Sequence, residues 1–155
     1  VAHALSDDGA SAFCDVSHLD SLKAISKDTL RNFDRLRRRA EKDFGPVLLD
    51  PVTDQALLHT TAFDRFVALK DSGWKGTTGA GTSLAVDTRA QAFFREVMRR
   101  FGEDNRARID FLTLAGRDAA AQLMVRAGPT WFLLKIGFHP DFKDVGPGGI
   151  LQRPS

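Results

Sequence analysis

Cysteine is almost missing from this chain, long apolar runs are missing altogether, and neither sign of charge predominates; each scarcity removes a class of protein. One cysteine, Cys14, excludes an intrachain disulfide framework and a cysteine-rich zinc site, and it fits a reducing compartment such as the cytoplasm. No metal is expected. No apolar stretch approaches the roughly 20 residues that a membrane-crossing helix needs, and acids stand near the N-terminus where a secretory signal would carry basic and then apolar residues. A soluble chain without a membrane span is expected. With 22 Lys and Arg against 20 Asp and Glu, formally +2, there is no global basic field of the kind that marks a dedicated nucleic-acid binder.

The 155 residues are enough for one domain with a real core and too few for two. The chain begins at Val1 and stops just after the apolar pair Ile150-Leu151, which reads as the start of a new element. The expectation is a fragment: one incomplete domain over residues 1–155, with residues 1–12, small, polar and without period, as a loose lead-in.

Leu19, Leu22 and Ile25 recur at helical spacing, with Ser17 or Asp20 as cap. Ser26 offers a second cap, and Leu30, Phe33, Arg37 and Ala40 run down one face of a further helix that stops at Gly45-Pro46. Its exposed surface carries Lys27, Arg31, Arg35, Arg37, Arg38, Arg39 and Lys42 among Asp28, Asp34, Glu41 and Asp43. A basic cluster of this kind can attract phosphates. The acids within helical reach favour a solvated face laced with ion pairs instead, which argues against a nucleic-acid partner.

Val47-Leu48-Leu49 predicts a short strand ending at Asp50-Pro51. Asp54 then caps a helix whose stripe is Leu57, Leu58, Thr61, Ala62, Phe66 and Leu69, running to Ser72-Gly73. Trp74, Lys75 and the glycine-rich run from Gly76 to Ser83 predict a loop; it is not a phosphate-binding P-loop, because the lysine precedes the glycines and no strand leads in. Asp87 or Thr88 caps the clearest helix, with Ala90, Phe93, Phe94, Val97, Met98 and Phe101 as core up to Gly102, and Arg95, Glu96, Arg99 and Arg100 on a wet face.

Between Arg108 and Phe138, two turn signals, Ala115-Gly116-Arg117-Asp118 and Ala127-Gly128-Pro129-Thr130, divide three apolar runs and predict an antiparallel meander. Ile109, Phe111 and Thr113 face one way, Asp110, Leu112 and Leu114 the other, so the sheet is expected to be covered on both faces. In the second run Ala119, Ala121, Leu123 and Val125 alternate with Ala120, Gln122, Met124 and Arg126. The small alanines leave room for a large neighbour, a helix included. Lys135 interrupts the last strand and must snorkel, pair with an acid, for which pairing is the leading reading, or meet an anionic ligand. His139, at the strand exit, either serves as a base or terminates the strand. Gly146-Pro147-Gly148-Gly149 before Ile150-Leu151 is a plain turn or a glycine loop opening a helix, whose free N–H groups can cradle a pyrophosphate.

In their order and spacing these features resemble the GNAT-superfamily acetyltransferases, and among them the cellulose-biosynthesis or BioF2-like family. The residues that carry the resemblance are Ser26-Lys27 through Leu30-Arg31-Asn32 to Arg39 and Gly45, Trp74, Phe93-Phe94-Arg95-Glu96, Gly116-Arg117, Ala120-Ala121-Gln122, Leu134 to Pro140, and Gly146-Pro147-Gly148. Phe138-His139 stands where that family commonly has Tyr-Asp.

The resemblance implies an α/β (α+β) GNAT-like fold, helices packed on a mainly antiparallel sheet, truncated at the C-terminus. It implies acetyl-CoA as acyl donor, with Ile136, Gly137 and Phe138 along the pantetheine arm and Val145, Gly146, Gly148 and Gly149 at the pyrophosphate. An amine or hydroxyl of a sugar, a polysaccharide precursor or another small acceptor then attacks the thioester directly. The catalytic base is not assigned, His139 being the one candidate. Two other readings stand beside this one: a Fem-type aminoacyl-tRNA-dependent transferase, and a non-catalytic nucleic-acid-binding module using the basic helix.

Overall fold

The structure, a computed structural model, describes residues 27–72, 84 and 86–151. The expected lead-in, the helix before Ser26, the Ser26 cap, Cys14, and the glycine-rich loop with Trp74 and Lys75 lie outside these residues. No described helix is long and apolar enough to cross a membrane.

Helix α1 (Lys27–Asp43) leads into strand β1 (Val47–Val52). Gly45 turns the chain between them with φ 122°, a value that side-chain-bearing residues rarely adopt. The basic side of α1 is the ion-paired face the sequence favours: Arg31 lies 3.7 Å from Asp28, Arg37 3.2 Å from Glu41 and Arg39 3.6 Å from Asp43.

Strand β1 does not end at Asp50-Pro51 but runs through Pro51 to Val52. The reason lies in the ladder. The Ala115 N–H donates to the Pro46 carbonyl, so residues 46, 48, 50 and 52 turn their backbone toward the neighbouring strand and 47, 49 and 51 turn theirs outward. The N–H that Pro51 lacks would have pointed away from the sheet, and nothing is lost.

The single helix expected after Asp54 is two, α2 (Gln55–Leu58) and α3 (Thr61–Asp71). Asp54 caps the first as expected, its carboxylate accepting from Ala56 N and Leu57 N. The Thr60 hydroxyl then donates to the Ala56 carbonyl, replacing a backbone bond, and the chain breaks at His59-Thr60. Leu58, Ala62, Phe66 and Leu69 are buried, but Leu57 and Thr61 are exposed and Phe63 takes their place inside.

Helix α4 (Thr88–Glu103) is capped by Asp87 and buries Met98. The aromatic pair divides: Phe94 packs on the core, whereas Phe93, about 100° around the helix, is 62% exposed and meets Phe94 edge-on. Arg95 also departs from the wet face, lying over the Phe63 ring and donating to the His59 carbonyl. Glu96, Arg99 and Arg100 do form one: Glu96 accepts from Arg99 and Arg100, and Arg99 also reaches Glu103. The hydrogen bonds from Arg99 first, then Arg100, hold the Glu96 carboxyl down at about 2. A carboxylate lowered on folding favours the folded state above the ordinary range near 4.5, and that preference disappears as pH falls through 2. Carboxyl-carbon NMR should give Glu96 a midpoint near 2, returning toward the ordinary range in Arg99→Gln and in high salt.

Strands β2 (Ala107–Leu114), β3 (Arg117–Ala127) and β4 (Thr130–Phe138) form the expected meander, giving a four-stranded antiparallel sheet in the order β1-β2-β3-β4. Positive φ at Ala115 (50°) and Gly116 (78°) closes the first hairpin, and Gly128 (58°) opens the second. Both faces are covered. Ile109, Phe111, Ala121 and Leu123 pack with Leu58, Phe63, Phe66 and Met98 on one side. Leu112, Leu114, Ala119 and Ala120 pack on the other with Ala40, Phe142, Val145, Ile150 and Leu151. Ala119 leaves the face of Ala121 where it was expected, because the register shifts between Leu112 and Thr113 and adds a residue to β3.

Two buried or half-buried charge sets brace the fold, one between helix and sheet and one between neighbouring strands. Arg65 of α3 donates to Asp118 and Asp50 and lies 3.8 Å over Phe111, so its guanidinium is held charged even more firmly than usual, chiefly by Asp118. Asp110, 6% exposed, accepts from Arg108 at 2.7 Å and from Gln122 at 3.0 Å.

Candidate functional site

Among the described residues strand β4 is an edge of the sheet, and its outward backbone is the natural place for an extended ligand to pair. The His139 N–H donates to the Ala119 carbonyl, so by alternation Gly137 turns its N–H and C=O toward β3 while Ile136 and Phe138 turn theirs outward. Of the three residues the sequence assigns to one run, two therefore offer hydrogen-bonding groups at the edge. Gly137 has a different part: a Cβ placed on it would lie 2.5 Å from Lys70 Cδ. Its lack of a side chain lets Lys70 cross the strand and donate from Nζ to the Ile136 carbonyl at 2.9 Å.

After β4 the chain makes a 3₁₀ helix (Pro140–Val145) and helix α5 (Pro147–Leu151), which continues the covering of the sheet opposite α3 and α4. Gly146 joins them in the left-handed region, φ 60° and ψ 53°, where glycine is at ease. The buried Val145 side chain anchors the turn in the core. Gly148 returns to β4: a Cβ there would stand 3.5 Å from Ile136 Cδ1. Gly149 and Ile150 both donate to the Gly146 carbonyl, at 3.0 and 3.2 Å. The Gly149 N–H is thus already used within the turn.

His139 caps the 3₁₀ helix. Its Nδ1 accepts from the Asp141 N–H at 3.2 Å, and its ring meets Phe142 edge-on. That nitrogen is occupied within the cap. Asp141 is held below the usual carboxylate range by its hydrogen bond from Arg117 and, to a lesser degree, by His139. Lys135 does not pair with an acid among the described residues; it is exposed, with Nζ 5.2 Å from the Phe94 ring centroid. No group of three His, Cys, Asp or Glu among the described residues could hold a metal ion.

Lys70 was not visible as a site residue in the sequence. It follows Leu69 at the end of an apolar stripe, and only the packing of α3 on β4, 66 residues away, brings it to the edge.

An antiparallel sheet covered by helices on both faces ends at a strand edge with a glycine turn near it. The chain belongs to the GNAT acetyltransferases: the family model described as Acetyltransferase (GNAT) domain matches residues 27–153. Enzymes of this family generally use acyl-CoA donors. No curated protein and no solved structure matches the chain.

Proposed function

We propose that the chain is one acyltransferase domain that takes acetyl-CoA as donor and acetylates an amine or hydroxyl of a small acceptor. The observation that carries the donor assignment is the outward backbone of Ile136 and Phe138 beside the turn at Gly146 and Gly148. An extended arm with two amides is complementary to two outward residues of an edge strand. A diphosphate suits a glycine turn that opens a helix. Val145 supports the turn from beneath and Gly149 shapes it.

The chemistry is transfer without a covalent enzyme intermediate: the acceptor's nitrogen or oxygen attacks the thioester carbonyl, the C–S bond breaks, and coenzyme A leaves as the thiol. Positioning of the two substrates supplies much of the rate. Because Nδ1 of His139 already accepts a hydrogen bond, proton removal by His139 would require that cap to open. A sugar or polysaccharide-precursor acceptor follows from the BioF2-like resemblance of Leu134 to Pro140 and Gly146-Pro147-Gly148, and a cytoplasmic setting from the lone cysteine.

Calorimetric titration of acetyl-CoA into the folded protein tests the donor assignment. Saturable heat that coenzyme A competes away is expected; no heat and no competition would overturn it.

A further inference from the structure

Lys70 is a basic side chain at the donor edge to which the reaction as described gives no part. Its stem crosses Gly137 because that residue has no Cβ, and its ammonium sits on the Ile136 carbonyl, an outward acceptor of the very edge the donor's arm would use. On its other side Ile136 faces Gly148, where a Cβ would stand 3.5 Å from Ile136 Cδ1. One residue therefore separates the ammonium from the glycine turn.

We infer that Lys70 is a diphosphate-binding residue of the donor site, and that its ammonium leaves the Ile136 carbonyl for the donor's phosphates as the arm pairs with β4. This rests on the acyl-CoA reading above. On the Ile136 carbonyl the ammonium meets an uncharged oxygen, whereas a phosphate oxygen carries negative charge and adds Coulomb attraction to the hydrogen bond. The exchange also uncovers the Ile136 acceptor for an amide N–H of the arm. Recognition of phosphate and opening of the strand edge become one event, and a donor lacking phosphate has to displace the ammonium without that compensation.

The test compares coenzyme A with pantetheine, which has the arm but no phosphate, in the wild type, Lys70→Met and Lys70→Arg, with folding checked by circular dichroism. Coenzyme A is followed by calorimetry and pantetheine by amide chemical shifts of β4. Lys70→Met, which keeps most of the stem, should weaken coenzyme A about tenfold and leave pantetheine binding unchanged or tighter, while Lys70→Arg retains coenzyme A affinity. Unchanged coenzyme A affinity in Lys70→Met overturns the assignment. So does an equal loss for both compounds, which would make Lys70 a strut between α3 and β4. A wild type that binds no coenzyme A removes the donor reading itself, and is told apart by failing before any substitution is made.

Discussion

Gly148→Glu is expected to reduce acetyl-CoA affinity by about 100-fold or more while leaving the unfolding midpoint nearly unchanged. The two halves of that expectation have separate causes. The space beside Gly148 accepts a side chain, since a Cβ would make only ordinary contact with Ile136 Cδ1 at 3.5 Å. An acidic residue in the first turn of a helix is tolerated or mildly favourable. The carboxylate, however, stands where the donor's diphosphate is assigned. Two like charges at about 4 Å near a protein surface repel by roughly 4 kcal/mol, and about 2.8 kcal/mol already amounts to a hundredfold. Gly148→Ala supplies the control, with affinity within about threefold of the wild type, because a methyl group adds volume without charge. Calorimetry on the three proteins decides it. Equal affinity in Gly148→Glu and Gly148→Ala would place the diphosphate elsewhere.

The largest stability effect is expected at Arg108→Met, about 3 kcal/mol in urea unfolding, which for a chain of this size is a fall of roughly 6–12 °C in midpoint. Asp110 lies almost entirely inside, and its three side-chain hydrogen bonds, two from Arg108 and one from Gln122, all fall on the same oxygen, Oδ2. Oδ1 is buried with no partner. Removing the guanidinium leaves a buried carboxylate with Gln122 alone, and an uncompensated buried charge costs more than the pair contributes. The double variant Arg108→Met with Asp110→Leu should therefore be more stable than Arg108→Met by itself. If the second substitution makes matters worse instead, the cost at Arg108 is lost packing on Trp131, over which its guanidinium sits at 5.2 Å.

Much of this architecture is written locally in the chain. The three-strand meander is announced by glycines at its two turns, and Gly116 and Gly128 do adopt the positive φ those turns require. Asp54 and Asp87 cap helices because a carboxylate two or three residues before free N–H groups needs no tertiary partner to do so. What was not legible depends on contacts between distant segments or on one competing side-chain bond. The Thr60 hydroxyl splits a helix whose apolar period runs on undisturbed through the break. Phe93 fits the spacing of its stripe yet sits at the flank.

The site divides in the same way. The glycine turn and the strand leading to it could be read as a unit. The direction in which each backbone group of that strand points could not, because a single residue of register decides it. Hence the fold shows what the pattern did not: Gly137 turns its backbone toward β3 and lets Lys70 cross the strand.

The two borders of the sheet differ in what they allow to join them. Along β1, the outward position at Pro51 has no hydrogen to give, so an extended peptide arriving there meets a gap in the row. Along β4 no proline interrupts the strand, and Phe132, Leu133 and Phe138 remain exposed on it. Self-association by strand addition, in a concentrated preparation, would accordingly propagate from one border only, pairing β4 with β4 and stopping at the dimer.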